Sequence, residues 1–217
     1  PFKPVSGGRF NADLNVPLLD ALGFTAPPQT GESNPPVTEA LAIYDDYPAQ
    51  GILSDGWQKS GVLNFYETSK VASGKYSILW KDSAQYDSFL FGFQGGKDLS
   101  SLVKSGYSLE LKLRATGPVK FDIRFMNSDG APADIPWRMV RTIDTSTLPP
   151  DGEWHLVRIP LTEMVDAGAW KQSQKKWFDS TGKFSWSNVV SLQVAAEEMS
   201  LAGSEIDHLD RVRLLVV

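Results

Sequence analysis

From residue 37 onward, apolar residues recur at every second position rather than every third or fourth. Tyr107-Ser108-Leu109-Glu110-Leu111-Lys112-Leu113-Arg114 alternates cleanly, and Val119-Lys120-Phe121-Asp122-Ile123-Arg124-Phe125 does the same. A period of two sends successive side chains to opposite faces of a strand, one buried and one wet. Leu41–Tyr44, Tyr76–Trp80, Phe89–Phe93, Trp137–Ile143, Trp154–Ile159, Val189–Ala195 and Leu209–Val216 complete a set of about nine or ten short strands. Turn chemistry separates them: Ser128-Asp129-Gly130, Pro149-Pro150-Asp151-Gly152 and Ser180-Thr181-Gly182. The span Leu161–Trp170 is the one stretch that reads as helical, although it carries Gly168. With no strand–helix–strand alternation, the pattern predicts an all-β, antiparallel two-sheet jelly-roll β-sandwich.

Residues 1–36 differ. They hold seven of the fourteen prolines, and the run from Thr25 to Pro36 reads as an extended Pro-rich linker. Val16–Phe24 could form one short helix stopped by Gly23, too small to bury itself. It is read as a remnant of an upstream domain or as a strap across the next one. The first residue is Pro1, so a processed or excised chain is expected. Residues 37–217 form the expected sandwich, long enough for a self-sufficient core.

Charge and composition then remove function classes. Lys plus Arg is 21 and Asp plus Glu is 26, a formal charge of −5. That balance argues against a nucleic-acid or anionic-lipid surface, both of which need a dense basic face. No run approaches the ~20 apolar residues of a membrane span. Cysteine is absent and histidine occurs twice, as His155 and His208. Disulfides, thiolate nucleophiles and His- or Cys-rich zinc sites are therefore not expected. What remains to explain is 24 aromatic residues: Trp 7, Tyr 6 and Phe 11.

Several segments resemble a known group. Ile43-Tyr44-Asp45-Asp46, Trp57, Ser73-Gly74-Lys75-Tyr76-Ser77-Ile78-Leu79-Trp80, Gly152-Glu153-Trp154-His155-Leu156-Val157-Arg158-Ile159-Pro160-Leu161 and Asp207-His208-Leu209-Asp210-Arg211-Val212-Arg213-Leu214 are similar to segments of β-sandwich carbohydrate-binding modules. The likeness is to family 11 and to families 4, 22 and 30, over roughly residues 40–217. It implies a non-catalytic module, monomeric and secreted or extracellular, that holds an attached glycoside hydrolase on a β-linked plant-type polysaccharide such as cellulose, mixed-linkage β-glucan or xyloglucan.

Sugar binding asks for flat aromatic rings to stack on pyranose C–H faces and planar polar side chains to pair with hydroxyls. Alternation sends Phe121, Ile123 and Phe125 inward and Arg124 outward; it also sends Gln193 and Glu197 outward. For Trp137–Ile143 the pattern is ambiguous, and the cost of burying an arginine favours Trp137 and Arg141 outward. Trp57 beside Asp55-Gly56, and Trp170 and Trp177 in a lysine-bearing loop, are the remaining platform candidates. The carbohydrate-binding set is thus Trp57, Arg124, Trp137, Arg141, Trp170, Trp177, Gln193 and Glu197. The competing reading is plain: charged residues occupy any wet sheet face, and most aromatics are core.

Asp210 shares strand parity with Val212, Leu214 and Val216, and Asp45 with Ile43, so both acids are expected to point inward and need a partner. In the resembled modules a structural calcium sits between acids so placed, which makes Asp45 and Asp210 candidate ligands. Two enzyme readings compete. Glu205-Ile206-Asp207-His208-Leu209-Asp210 approaches the E-x-D-x-x-E signature of glycoside hydrolase family 16, but ends in Asp rather than Glu and lies at the very end of the chain. A polysaccharide lyase sandwich would want a His or Tyr base, for which two histidines offer little. A protein-binding interaction domain is the third reading.

Overall fold

The computed structural model describes residues 35–127, 135–203 and 205–216, with only the backbone at 205–209. The linker and short helix expected before residue 35, and the turn at 128–130, lie outside the described residues. The strands are β1 (Leu41–Asp45), β2 (Tyr47–Pro48), β3 (Ile52–Trp57), β4 (Val62–Glu67), β5 (Ser77–Lys81), β6 (Ser88–Lys97), β7 (Ser108–Ala115) and β8 (Lys120–Asn127). After these come β9 (Arg138–Asp144), β10 (Trp154–Pro160), β11 (Val165–Asp166), β12 (Ala169–Lys171), β13 (Lys176–Phe178), β14 (Val189–Ala195) and β15 (Glu205–Leu215). Among the described residues, one short α-helix, α1 (Ser100–Lys104), joins β6 to β7.

Two antiparallel sheets face each other, as the alternation predicts. One runs β10-β7-β15-β1-β2, with β4 and β5 joined to it through β15; the other runs β11-β9-β8-β14-β6-β3. Strand β15 is long enough to pair β5 along its first half and β1 along its second. Leu109, Leu111 and Leu113 from one sheet meet Phe89, Phe91, Phe121, Ile123 and Phe125 from the other, all essentially inaccessible. Trp80 joins the layers: its ring meets Phe89 edge-on at 5.4 Å and Phe121 at 6.4 Å. Such T-shaped contacts place ring edges on ring faces and add to the area term.

Glu110, on the outer face of β7, is also accounted for. Glu110 is 2 % exposed because Arg158 on β10 and Arg213 on β15 stand opposite it, one on each side. Their Nε groups donate to its two carboxylate oxygens at 2.8 and 2.9 Å. Burial pushes the Glu110 carboxyl up, but the two guanidiniums more than offset this and hold it below its ordinary range.

Three local expectations change. Leu161–Trp170 is not a helix: one 3-10 turn at Leu161–Glu163 leads into β11 and β12. Gly168 sets that course, with φ +72° and no room for a Cβ, which would lie 2.3 Å from the Phe178 carbonyl oxygen. Strands β3 and β4 were not anticipated, because Ser54, Asp55, Gly56 and Asn64 dilute their apolar pattern. Asp45 is largely exposed, with its carboxylate 4.0 Å from Arg211 Nε, rather than inward. A register shift between Ala42 and Tyr44 buries Ile43 and Tyr44 in succession and so reverses the parity of Asp45.

Replacing the inter-sheet indole tests this account. Trp80→Ala should lower unfolding stability by about 3–5 kcal/mol, read as a shifted urea midpoint at unchanged slope.

Candidate functional site

The outer face of the six-stranded sheet is the floor of a cavity of about 930 Å³. Strand pairing places Leu90, Gln193, Arg124 and Val140 in one row across four strands. Because Ile123 and Phe125 fill the core, Arg124 between them must emerge on this face. Its Nε donates to Gln193 Oε1 at 2.8 Å and its Nη1 donates to Glu197 Oε2 at 2.9 Å. Gln193 Nε2 in turn donates to Ser88 Oγ at 3.1 Å. The guanidinium plane is therefore locked before any ligand arrives, the condition for low-cost recognition.

Arg138 lies one row along, opposite Met126. It is 7 % exposed, its Nη2 is 3.7 Å from Glu197 Oε1, and its Cζ stands 4.6 Å from the Trp177 ring centre. Glu197 thus holds two buried guanidiniums apart. Burial, and then the charge of Arg124, pull the Arg138 pKa down to about 10. Its Nε has no hydrogen-bond partner.

The walls rise at the two ends. At one end, β12 and β13 form a hairpin in which Trp170 stands directly opposite Trp177. Asp166 anchors the hairpin base, accepting from the amides of Gly168 and Gly182 at 3.2 and 3.0 Å. Trp170 Nε1 donates to Gln172 Oε1 at 2.8 Å. At the other end, Trp57 closes β3 beside Tyr86, and Lys59 Nζ lies 5.5 and 6.0 Å from their ring centres. Buried Asp87 fixes this corner by accepting from the amides of Lys59, Ser60 and Ala84. Four strand spacings separate β3 from β9, a floor of about 19 Å.

Six of the eight anticipated residues line this cavity: Trp57, Arg124, Trp170, Trp177, Gln193 and Glu197. Trp137 and Arg141 do not. Ile143, fully buried, sets the parity of β9, which puts Arg138 and Val140 on the cavity side and Arg141 on the other. Arg141 avoids burial because β9 lies next to the sheet edge, and it reaches solvent beside Glu163 at 4.0 Å. Trp137 is half-buried, with Lys183 Nζ 5.9 Å from its ring centre. Arginine's burial cost does not decide the face here, because Glu197 and the Trp177 ring compensate Arg138. Ile143 was the better marker of the strand's parity. Tyr86 was missed because it sits in a loop with φ +75°, outside any alternation. Lys171, expected to resist burial, is 5 % exposed on the hairpin.

The acid pair expected to hold metal is only partly assembled. Asp210 is fully buried; its Oδ2 accepts from the Ser73 amide at 2.8 Å and from Ser73 Oγ at 3.1 Å. Its Oδ1 has no partner. Burial raises the Asp210 pKa against those hydrogen bonds. Asp45 does not face it, and among the described residues no group of three or more His, Cys, Asp or Glu side chains converges. The backbone of Glu205–Asp210 is a strand, while the side chains of 205–209 lie outside the described residues.

No protein-family model and no curated protein sequence matches the chain. In three dimensions it is similar to carbohydrate-binding modules. It superposes on a family 30 module of a cellulosomal cellulase of Clostridium thermocellum with TM-score 0.58 and 16 % identity, covering 81 % of this chain and 96 % of that one. A second family 30 module gives TM-score 0.56 and 16 % identity over 82 % and 99 %. A family 11 module of C. thermocellum, solved in complex with a β-1,3-1,4-mixed-linked tetrasaccharide, gives 0.53 and 12 % over 82 % and 96 %. The chain therefore has the carbohydrate-binding-module β-sandwich fold.

Asp122, one row below Arg124, supplies a pH test. It is buried and accepts from Thr142 Oγ1 at 2.7 Å; burial raises its pKa more than Thr142 and Arg124 lower it. An acid whose pKa is higher folded than unfolded contributes stability at low pH that is lost as pH rises through the folded value. Relative to the parent, Asp122→Asn should therefore gain melting temperature as pH is raised from 3 to 7. A constant difference across that range would contradict the assignment.

Proposed function

We propose that the cavity binds a β-linked polysaccharide chain, of the cellulose, mixed-linkage β-glucan or xyloglucan class, and that the chain is a non-catalytic targeting module. The observation that carries this reading is the placement of three exposed tryptophans, Trp57, Trp170 and Trp177, around one rigid polar floor. Indole faces offer apolar area to the C–H faces of pyranose rings, while Arg124, Gln193 and Glu197 present fixed donors and acceptors to hydroxyls. The family 11 module's mixed-linkage tetrasaccharide supports the same ligand class.

The reading includes a role beside an attached glycoside hydrolase, as a monomer in a secreted or extracellular protein. Among the described residues, no helix is long and apolar enough to cross a membrane. Affinity electrophoresis through mixed-linkage β-glucan, hydroxyethylcellulose, xyloglucan, xylan and mannan tests it. Retardation by at least one β-glucan is expected, and Trp177→Ala should weaken it about tenfold, or about 1.4 kcal/mol. The same protein should release no reducing sugar. Retardation by none of the five polymers would move the assignment to a protein-binding domain.

A structural calcium at Asp210 belongs to this proposal. The buried, unpartnered Oδ1 suits a hard cation with oxygen ligands; Asp45 would have to turn toward it, and backbone carbonyls would complete the set. The ion would supply stability rather than chemistry. EDTA should lower the melting temperature by several degrees, restored by added calcium; an unchanged melt with no metal by mass analysis would remove the ion.

A further inference from the structure

A second aromatic cluster lies outside the cavity. Tyr47 on β2, Tyr66 on β4 and Tyr76 just before β5 pack against one another with ring centres 5.5 to 5.8 Å apart. Tyr47 and Tyr66 are 54 % and 47 % exposed, so the cluster is not a piece of the core. All three belong to the seven-stranded sheet or its edge, whereas the cavity lies on the six-stranded sheet. Aromatic side chains gathered at a surface signal a contact more often than scattered ones do.

The surroundings define what that contact can be. Asp46 accepts from the amides of Lys75 and Tyr76 at 2.6 and 2.8 Å, and Glu67 accepts from the amides of Thr68 and Ser69, both at 2.8 Å. The Lys75 ammonium lies 4.9 Å from the Tyr76 ring centre. The two carboxylates near the cluster are engaged in shaping the loops that present it, and the Lys75 ammonium lies against the Tyr76 ring. The exposed rings offer apolar area together with neutral phenol donors and acceptors, which suits a hydroxyl-rich ligand. Three rings are too few for a protein partner, whose stable interfaces bury about 1,200–2,000 Å². They are enough for one or two sugar rings. Because each tyrosine is held by the other two, little rotamer freedom is lost on binding.

We propose that Tyr47, Tyr66 and Tyr76 form a second site for a neutral β-linked glycan, separate from the cavity, so that the module grips a polysaccharide at two places. The ligand class rests on the reading of the cavity given above. Two weak sites on one body, engaged with a polymer, multiply retention without any new contact at either.

Four proteins are compared by affinity electrophoresis in mixed-linkage β-glucan: parent, Tyr47→Ala/Tyr66→Ala, Trp57→Ala/Trp177→Ala, and the quadruple variant. Near-ultraviolet circular dichroism and melting confirm folding. The tyrosine pair should weaken retention by the polymer about tenfold while leaving a tryptophan-fluorescence titration with cellotetraose within about twofold. Nitration footprinting of the unmodified parent is independent of mutation: the polymer should protect Tyr47 and Tyr66 several-fold. Unchanged retention in the tyrosine variant, or unprotected tyrosines in a polymer that retards the parent, overturns the second site and leaves the cavity reading standing. Loss in the tyrosine variant with none in the tryptophan variant overturns the cavity reading and leaves the second site.

Discussion

Two guanidinium groups buried on one sheet face, with a single carboxylate between them, are the constraint on which the site depends. Charges out of water are costly unless their geometry is satisfied. Arg124 meets that demand with Gln193 and Glu197. Arg138 meets part of it with Glu197 and part with the face of Trp177. The indole is thereby tied to the floor, and the hairpin that carries Trp170 and Trp177 is positioned by an electrostatic requirement of the sheet beneath it. Removing Glu197 would leave two desolvated cations adjacent to one another, so the floor and the wall are one unit.

The sandwich supplies the rigidity that this arrangement needs. Trp80 links the two sheets through the same aromatic layer that fixes the orientation of β8. With Phe121, Ile123 and Phe125 committed to the core, Asp122 and Arg124 have no alternative to the cavity side. A one-residue slip of β8 would bury Arg124 among the phenylalanines and expose the aromatic face, so the register is strongly specified. At the opposite sheet, the tyrosine cluster is held differently. Asp46 organises the loop that carries Tyr76, and Gly74 lets that loop close against the carboxylate, where a Cβ would lie 2.4 Å from Asp46 Oδ1.

Where strands alternate without interruption, local pattern and tertiary environment agree: β7, β8, β10 and β14 stand where periodicity places them. The same alternation marked Arg124, Gln193 and Glu197, because strongly apolar neighbours define the inward face. It failed wherever polar residues blurred the parity. In β9 both faces carry an arginine; the buried Ile143 fixes the parity, and Glu197 and the Trp177 face make the burial of Arg138 tolerable. In β1 a register shift buries two consecutive residues, which no period of two foresees, and Asp45 faces outward as a result. Ser54, Asp55 and Gly56 interrupt the pattern of β3 and Asn64 that of β4, so both are legible only through their partners β6 and β5.

The amino-acid sequence by itself determined the all-β class, the two-sheet architecture and the composition of the core, because these follow from local periodicity and from burial of aromatics. It also identified most of the tryptophans that are not core, since lysines and turn residues surround them. Tertiary structure alone decided that Trp57, Trp170 and Trp177 surround one cavity, that Arg138 rather than Arg141 belongs to it, and that Tyr47, Tyr66 and Tyr76 meet. These residues are brought together by strand order and by a hairpin from elsewhere in the chain. Long-range pairing depends on which complementary surfaces meet, and no local pattern of hydrophobic and polar positions encodes it.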